Sequence, residues 1–104
     1  MAAPLSLRTD RRDDGTAVLT AAGEVDLSNI DTFAEAIATA KASTSADRPL
    51  SVDLSEVDYL DSGAINVLFD HADHIHLVVN PVLMSVLTIS GLTGVTRVEP
   101  APRR

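Results

Sequence analysis

The sequence predicts an α/β domain with a mixed sheet of about four to five strands and about three helices. Short apolar runs with strand character alternate with segments whose apolar residues recur at helical spacing. The predicted order is β-β-α-β-α-β-α-β, and strands that alternate with helices indicate a mostly parallel sheet. Asp14 and Gly15 form a hairpin-turn signal between the first two strands, so the hairpin is expected to add an antiparallel edge.

The strand predictions follow from apolar patterns bounded by turn residues. Gly23 is expected to end the second strand, and Pro49 precedes the third. The fourth strand is β-branched and apolar, which is typical of a strand buried on both faces. The five predicted strands cover residues 5–8, 16–22, 50–54 with an extension toward residues 57–60, 75–79 and 95–98.

The three helices are predicted from their start and stop signals. Ser28 or Asn29 is the candidate N-cap of the first helix. Residues 61–62 open the second helix. Pro81 stands at or near the start of the third, and Gly91 is a good residue to follow its end.

Composition sets further bounds on the chain. Its 104 residues predict one domain over residues 1–104, with a core over about residues 5–99. The absence of cysteine excludes disulfides, thiolate catalysis and cysteine-bound zinc. A net charge of -7 argues against binding nucleic acid or an anionic membrane. The N-terminus lacks signal-peptide character and no apolar run is long enough for a membrane helix, so a cytoplasmic location is expected.

Two strand-to-helix turns carry the candidate functional residues, because function in α/β sheets gathers where strands end and helices begin. One turn holds Asp26, and the other holds Asp61, Ser62 and Gly63. The Ser62 hydroxyl either caps the second helix or is exposed. Phosphorylation would add about 1.5 to 2 negative charges beside two carboxylates, at a helix terminus that tolerates phosphate. Such a residue would suit a surface switch.

Other kinds of site have weaker signals. His71 and His74 could share a helix face and bind a metal, but we interpret them, with nearby His76, as a polar helix end. No nucleophile elbow, dinucleotide fingerprint or phosphate-binding loop is present. We therefore expect no metal, no cofactor and no enzymatic activity.

Three blocks of the sequence resemble the STAS family, and specifically the anti-sigma factor antagonists. Residues 23–26 match its Gly-Glu-hydrophobic-Asp block, and residues 52–68 look like its strand, loop and Asp-Ser-x-Gly helix start. Residues 80–81 and 90–92 are similar to its closing segment. The chain departs from the pattern where Gly63 and Ala64 are exchanged and where Asn66 occupies a place often held by glycine.

The resemblance implies partner switching. In that family the motif serine, here Ser62, is phosphorylated by an anti-sigma factor that is itself a serine kinase. The unmodified antagonist binds that factor and frees the sigma factor. The phosphorylated form releases its partner, and a phosphatase restores the unmodified form. Asp61 matches the motif aspartate and Asp26 the acidic residue near the serine, while Gly63 and Ala64 complete the switch environment.

Two other hypotheses remain open from the sequence. One is a STAS-like interaction subunit of a transporter or signalling complex that is not phosphorylated. The other is a small phosphate- or nucleotide-binding sensor that uses the helix terminus at Ser62.

Overall fold

A computed structural model describes residues 4–44 and 48–102 of the chain. Its five strands form one sheet in the order β1-β2-β3-β4-β5. Strands β1 and β2 pair antiparallel, and the other neighbours pair parallel. The elements are β1 (Ser6–Arg11), β2 (Ala17–Val25), α1 (Ile30–Ala42), β3 (Leu50–Leu60), α2 (Ser62–Asp70), β4 (Ile75–Val79), α3 (Met84–Ser90) and β5 (Arg97–Pro100). The predicted mixed α/β sheet with three helices is confirmed.

All three helices pack against the same face of the sheet. The core takes every second residue of the strands, such as Leu50, Val52 and Leu54 of β3, together with helix residues such as Phe33 and Leu68. The alternate strand residues form the opposite face, which no helix covers within residues 4–44 and 48–102. We call this face the open face of the sheet.

The open face corrects the prediction that the fourth strand is buried on both sides. His76 of β4 is exposed and Val78 is only partly buried, whereas Ile75, Leu77 and Val79 are buried. The β-branched Val78 still suits this position, because it lies on the sheet surface between its paired neighbours on β3 and β5.

Gly23 does not end the second strand as predicted. It adopts a φ of 107°, and the pairing of β2 with β3 shifts register on either side of Ala22 and Gly23. Such irregularities bend a strand without ending it, and glycine accepts the positive φ at no steric cost. Strand β2 therefore continues to Val25, three residues beyond the predicted end.

The remaining boundaries differ by small amounts. Residues 81–83 form a 3₁₀ turn before α3 begins at Met84, and a second 3₁₀ turn over residues 92–94 delays β5 to Arg97. Gly91 ends α3 with a φ of 90°, as its position predicted. No helix in the described ranges combines the length and apolar character needed to cross a membrane.

Candidate functional site

The two predicted turns lie side by side at one end of the sheet. Val25 pairs with Leu60 at the ends of adjacent parallel strands β2 and β3. The backbone N–H of Asp61 also donates to the carbonyl of Val25 at 3.1 Å. Since neighbouring strands are about 4.8 Å apart, the loop after β2 and the start of α2 form one continuous surface. We call this surface the switch end; it comprises residues 26–29 and 59–63.

Ser62 is the first residue of α2 and is exposed. Its hydroxyl makes no hydrogen bond with any described residue. The capping bond comes instead from Asp61, whose Oδ1 accepts from the backbone N–H of Ala64 at 2.9 Å. Of the two roles open to Ser62 from the sequence, the structure therefore gives it the exposed one.

Asp26 begins the neighbouring loop and is held by Ser28. Its Oδ1 accepts from the backbone N–H of Ser28 at 2.9 Å and from the Ser28 hydroxyl at 2.5 Å. The hydroxyl bond and then the backbone bond lower the pKa of Asp26, and partial burial opposes them weakly. The carboxylate is therefore held in its charged form beside the start of α2.

Asn29 organises the same loop in an unexpected way. It occupies the N-cap position of α1, as one of the two predictions had it, but makes no capping bond. Its Oδ1 instead accepts from the N–H of Asp26 at 3.0 Å, and its Nδ2 donates to the carbonyl of Glu24 at 2.9 Å. These two hydrogen bonds of the Asn29 amide hold the loop, including Asp26, against the end of β2.

Gly63 and Ala64 have different roles in the first turn of α2. A Cβ atom on Gly63 would lie 2.6 Å from Cδ1 of Ile30, so α2 closely approaches the start of α1 there. Ala64 is fully buried and its methyl group is part of the core. The close approach thus falls one residue earlier than the glycine of the motif that residues 52–68 resemble.

Two exposed apolar residues at the switch end were not predicted to be functional from the sequence. Leu27 is 83% exposed in the loop after β2, and Tyr59 is 48% exposed near the end of β3. Glu24 pairs with Tyr59 and Val25 with Leu60, so Tyr59, three residues before Ser62, and Leu27, two residues after Val25, belong to the same end of the sheet. A signal was available: Leu27 lies outside the apolar stripe of α1, in a polar loop.

The histidines do not assemble into a metal site. His71 Nδ1 lies 2.9 Å from Nζ of Lys41, and His74 pairs with Asp73 at 3.2 Å. His76 lies on the open face, on β4. In the ranges that the structure describes, no group of three or more potential ligands comes together.

Comparison with known proteins places this geometry in context. The family model described as "Mlab, STAS domain" matches residues 9–98. An anti-sigma factor antagonist from Mycobacterium paratuberculosis is similar in structure, with a TM-score of 0.83 and 21% identity over 94% of this chain and 87% of that one. The anti-sigma factor antagonist SpoIIAA, in its unphosphorylated form, has a TM-score of 0.70 and 16% identity over 94% of this chain and 90% of its own.

A third similar structure is an uncharacterized protein with a SpoIIAA-like fold from Shewanella loihica. It has a TM-score of 0.63 and 10% identity, and the match covers 100% of this chain and 90% of that one. A search of curated protein sequences gave no match. At these identities the solved structures show the fold, whereas the family model extends from β1 into β5. The chain therefore belongs to the STAS domain family.

Proposed function

We propose that this protein is a non-enzymatic, cytoplasmic anti-sigma factor antagonist that regulates transcription indirectly. In this proposal it binds an anti-sigma factor with serine kinase activity, and phosphorylation of Ser62 releases that partner. A phosphatase then restores the binding form. Similarity to two anti-sigma factor antagonists supports the class of function. The main observation in support of a phosphorylation switch is that Ser62 is exposed at the start of a helix that Asp61 caps.

The division of labour between Asp61 and Ser62 is what makes a switch feasible. The capping hydrogen bond does not involve the Ser62 hydroxyl. Phosphorylation of that hydroxyl therefore leaves the N-cap of the helix in place. In the transfer step, the Ser62 oxygen would attack the γ-phosphorus of ATP, the bond to the β-phosphate oxygen would break, and the hydroxyl proton would pass to a base of the kinase. The products are phosphoserine and ADP.

The surroundings favour a large change in surface potential with little change in shape. Leu27 and Tyr59 offer apolar contact area next to Ser62, and exposed aromatic and apolar anchors are common in protein interfaces. Asp26 and Asp61 flank the serine, so a phosphate there would concentrate negative charge on the same surface. A partner that accepts the unmodified surface would then meet strong repulsion.

A pull-down from the native host tests the proposal directly. Ser62→Ala serves as the bait for the binding state, and Ser62→Asp as the matched bait for the modified state. An anti-sigma factor should be captured by the first and depleted on the second. Incubation of the wild type with that factor and ATP should then give one phosphate, which mass spectrometry should locate on Ser62 and not on the exposed neighbour Ser28.

A matched pair of variants separates charge from shape in the same assay. Ser62→Asn has nearly the size of Ser62→Asp without its charge. We expect the aspartate to weaken binding by about tenfold or more, while the asparagine stays close to wild type. Equal affinities would refute the electrostatic switch. Capture of a transport complex by all variants alike would favour the unphosphorylated interaction subunit instead.

A further inference from the structure

A polar cleft lies on the open face of the sheet, at the end away from Ser62. It has a volume of about 440 Å³ and is open to solvent, within the range of small-molecule sites. We call it the basic cleft and define it by Arg12, Arg48, Ser51, His76 and Arg97. Ser51 pairs with His76, and His76 with Arg97, so these three residues stand side by side on adjacent strands.

The loops bring two further guanidinium groups to this row. Arg12 follows β1 and its Nη2 donates to the Ser51 hydroxyl at 3.4 Å. Arg48 precedes β3 and packs against Gly15, where an added Cβ would lie 2.9 Å from Arg48 Nη1. Gly15 has a φ of 91°, so the hairpin turn both requires glycine and leaves room for this arginine.

The cleft is positive on a chain that is strongly negative. The protein has eight lysines and arginines and a net charge of -7, yet three of those arginines line this one cleft. Among the described residues that line the cleft, only Asp14 and Glu99 carry the opposite charge. Three guanidinium groups against two carboxylates leave one formal positive charge, before any contribution from His76.

Both carboxylates are already engaged. Asp14 accepts from the backbone N–H of Thr16 at 2.9 Å, and this bond chiefly lowers its pKa, with Arg48 and Arg12 adding to the effect. Glu99 accepts from Nε of Arg97 at 2.6 Å. Each guanidinium has five N–H donors, and most of these donors make no hydrogen bond with a described residue.

Ser51 adds a buried hydroxyl to the floor of the cleft. It is 5% exposed and is the one buried polar residue in the described part of the chain. Its oxygen accepts from Arg12, and its hydrogen finds no acceptor among the described residues. A buried hydroxyl with a spare donor, in a cleft that three arginines line, is suited to an anionic oxygen.

We propose that the basic cleft binds a small phosphate-bearing anion. Planar guanidinium groups match phosphate oxygens in pairs, and a ligand with two phosphates would reach more of the donors than a single phosphate. Nine residue steps separate Ser51 from Leu60 along β3, a distance of about 30 Å at roughly 3.3 Å per residue. The site is therefore separate from the switch end, and binding there does not depend on phosphorylation of Ser62.

Amide chemical shifts of the full chain, titrated with sodium pyrophosphate at constant ionic strength, test the proposal. We expect saturable shifts at Ser51, His76 and Arg97 at millimolar pyrophosphate and none at Ser62. Orthophosphate should bind more weakly, and sodium sulfate at matched ionic strength should not reproduce the pyrophosphate shifts. Linear shifts that never saturate, or shifts at the helix terminus of Ser62 alone, would overturn the proposal.

Arginine variants then locate the site. Arg48→Gln and Arg97→Gln should each weaken pyrophosphate binding by about tenfold, the effect of losing one charged hydrogen-bonding group. Arg8→Gln is the control, because Arg8 lies on the same open face but outside the cleft, paired with Asp10. Equal losses in all three variants would mean non-specific attraction and would refute the site. Thermal unfolding verifies that each variant is folded.

Vesicles of phosphatidylglycerol distinguish the source of the phosphate. Because the remaining surface is acidic, we expect no co-sedimentation with these vesicles at the ionic strength of the titration. Binding to vesicles that is lost in Arg48→Gln, without saturable binding of pyrophosphate, would contradict the small-anion ligand and indicate a lipid headgroup.

Discussion

The carboxylate of Asp61 accepts a hydrogen bond from the backbone N–H of Ala64 at 2.9 Å and so caps the helix that Ser62 begins. Helix termini leave backbone N–H groups without partners, and an aspartate side chain satisfies one of them. The same carboxylate contributes negative charge at the switch end. Asp61 therefore has two separable roles, one in stability and one in surface potential.

We expect Asp61→Ala to lower the free energy of unfolding by about 1 kcal/mol, the usual cost of a lost N-cap. Asp61→Asn should cost much less, because an amide oxygen can accept the same bond without the charge. Urea unfolding measures both changes. Asp13→Ala, which removes an exposed carboxylate in the hairpin, is the control, and an equal effect there would contradict the capping role.

The contact between Gly63 and Ile30 predicts an energetic coupling between the two helices. An alanine at residue 63 gains helix propensity but drives its Cβ into Cδ1 of Ile30. Ile30→Val removes that atom. We therefore expect Gly63→Ala to be more favourable in the Ile30→Val background than in the wild type, by about 1 kcal/mol in the free energy of unfolding.

A double-mutant cycle by chemical denaturation measures this coupling. Gly94→Ala is the matched control, because a Cβ there meets open space and should not couple to Ile30. If the effect of Gly63→Ala is the same in both backgrounds, the close approach of the two helices does not restrict residue 63.

The sequence predicted the start of α2 but could not assign its cap. Aspartate and serine are both good N-caps, and which one bonds the helix depends on the backbone geometry at the end of β3. There the N–H of Asp61 donates to the carbonyl of Val25, and the Asp61 side chain accepts from Ala64. Gly23 presents the same difficulty. Glycine ends many strands, but parallel pairing with β3 carries β2 through an irregularity at that residue.

For a related reason, the sequence could not decide whether the fourth strand is buried on one face or on both. An apolar run such as residues 75–79 is compatible with either arrangement, and only the placement of all three helices on one face decides it. The same placement creates the open face and its basic cleft. Arg12, Arg48 and Arg97 are distant in sequence, so no local pattern brings them together.

Leu27 offers a test of the partner surface that leaves the fold unaffected. Its side chain is 83% exposed, so Leu27→Ala should change the free energy of unfolding by less than about 0.5 kcal/mol. If it anchors the partner, the affinity for the captured anti-sigma factor should fall by about tenfold. Isothermal titration calorimetry measures the affinity.

Val95→Ala is the control for Leu27. Val95 is also exposed, but it precedes β5 and so lies at the end of the sheet away from Ser62. Wild-type affinity for Leu27→Ala, or an equal loss for Val95→Ala, would place the partner surface elsewhere.

The contact between Lys41 and His71 predicts a pH dependence of stability. Partial burial of the imidazole, and then the charge of Lys41, lower the pKa of His71, while Asp70 and Asp73 act in the opposite direction. The folded protein therefore resists a proton that the unfolded chain accepts near its ordinary pKa of about 6.5. Stability from this residue is present above that pH and is lost as the pH falls through it toward the lowered value.

Unfolding in urea at a series of pH values, with a proton NMR titration of His71, measures this effect. Lys41→Met should raise the pKa of His71 and flatten its share of the pH profile, because the repelling charge is gone while the apolar stem remains. Lys41→Arg keeps the charge and should preserve the wild-type profile. A His71 pKa at or above the ordinary value in the wild type, or identical profiles for Lys41→Met and Lys41→Arg, would show that the ammonium group does not oppose protonation of His71.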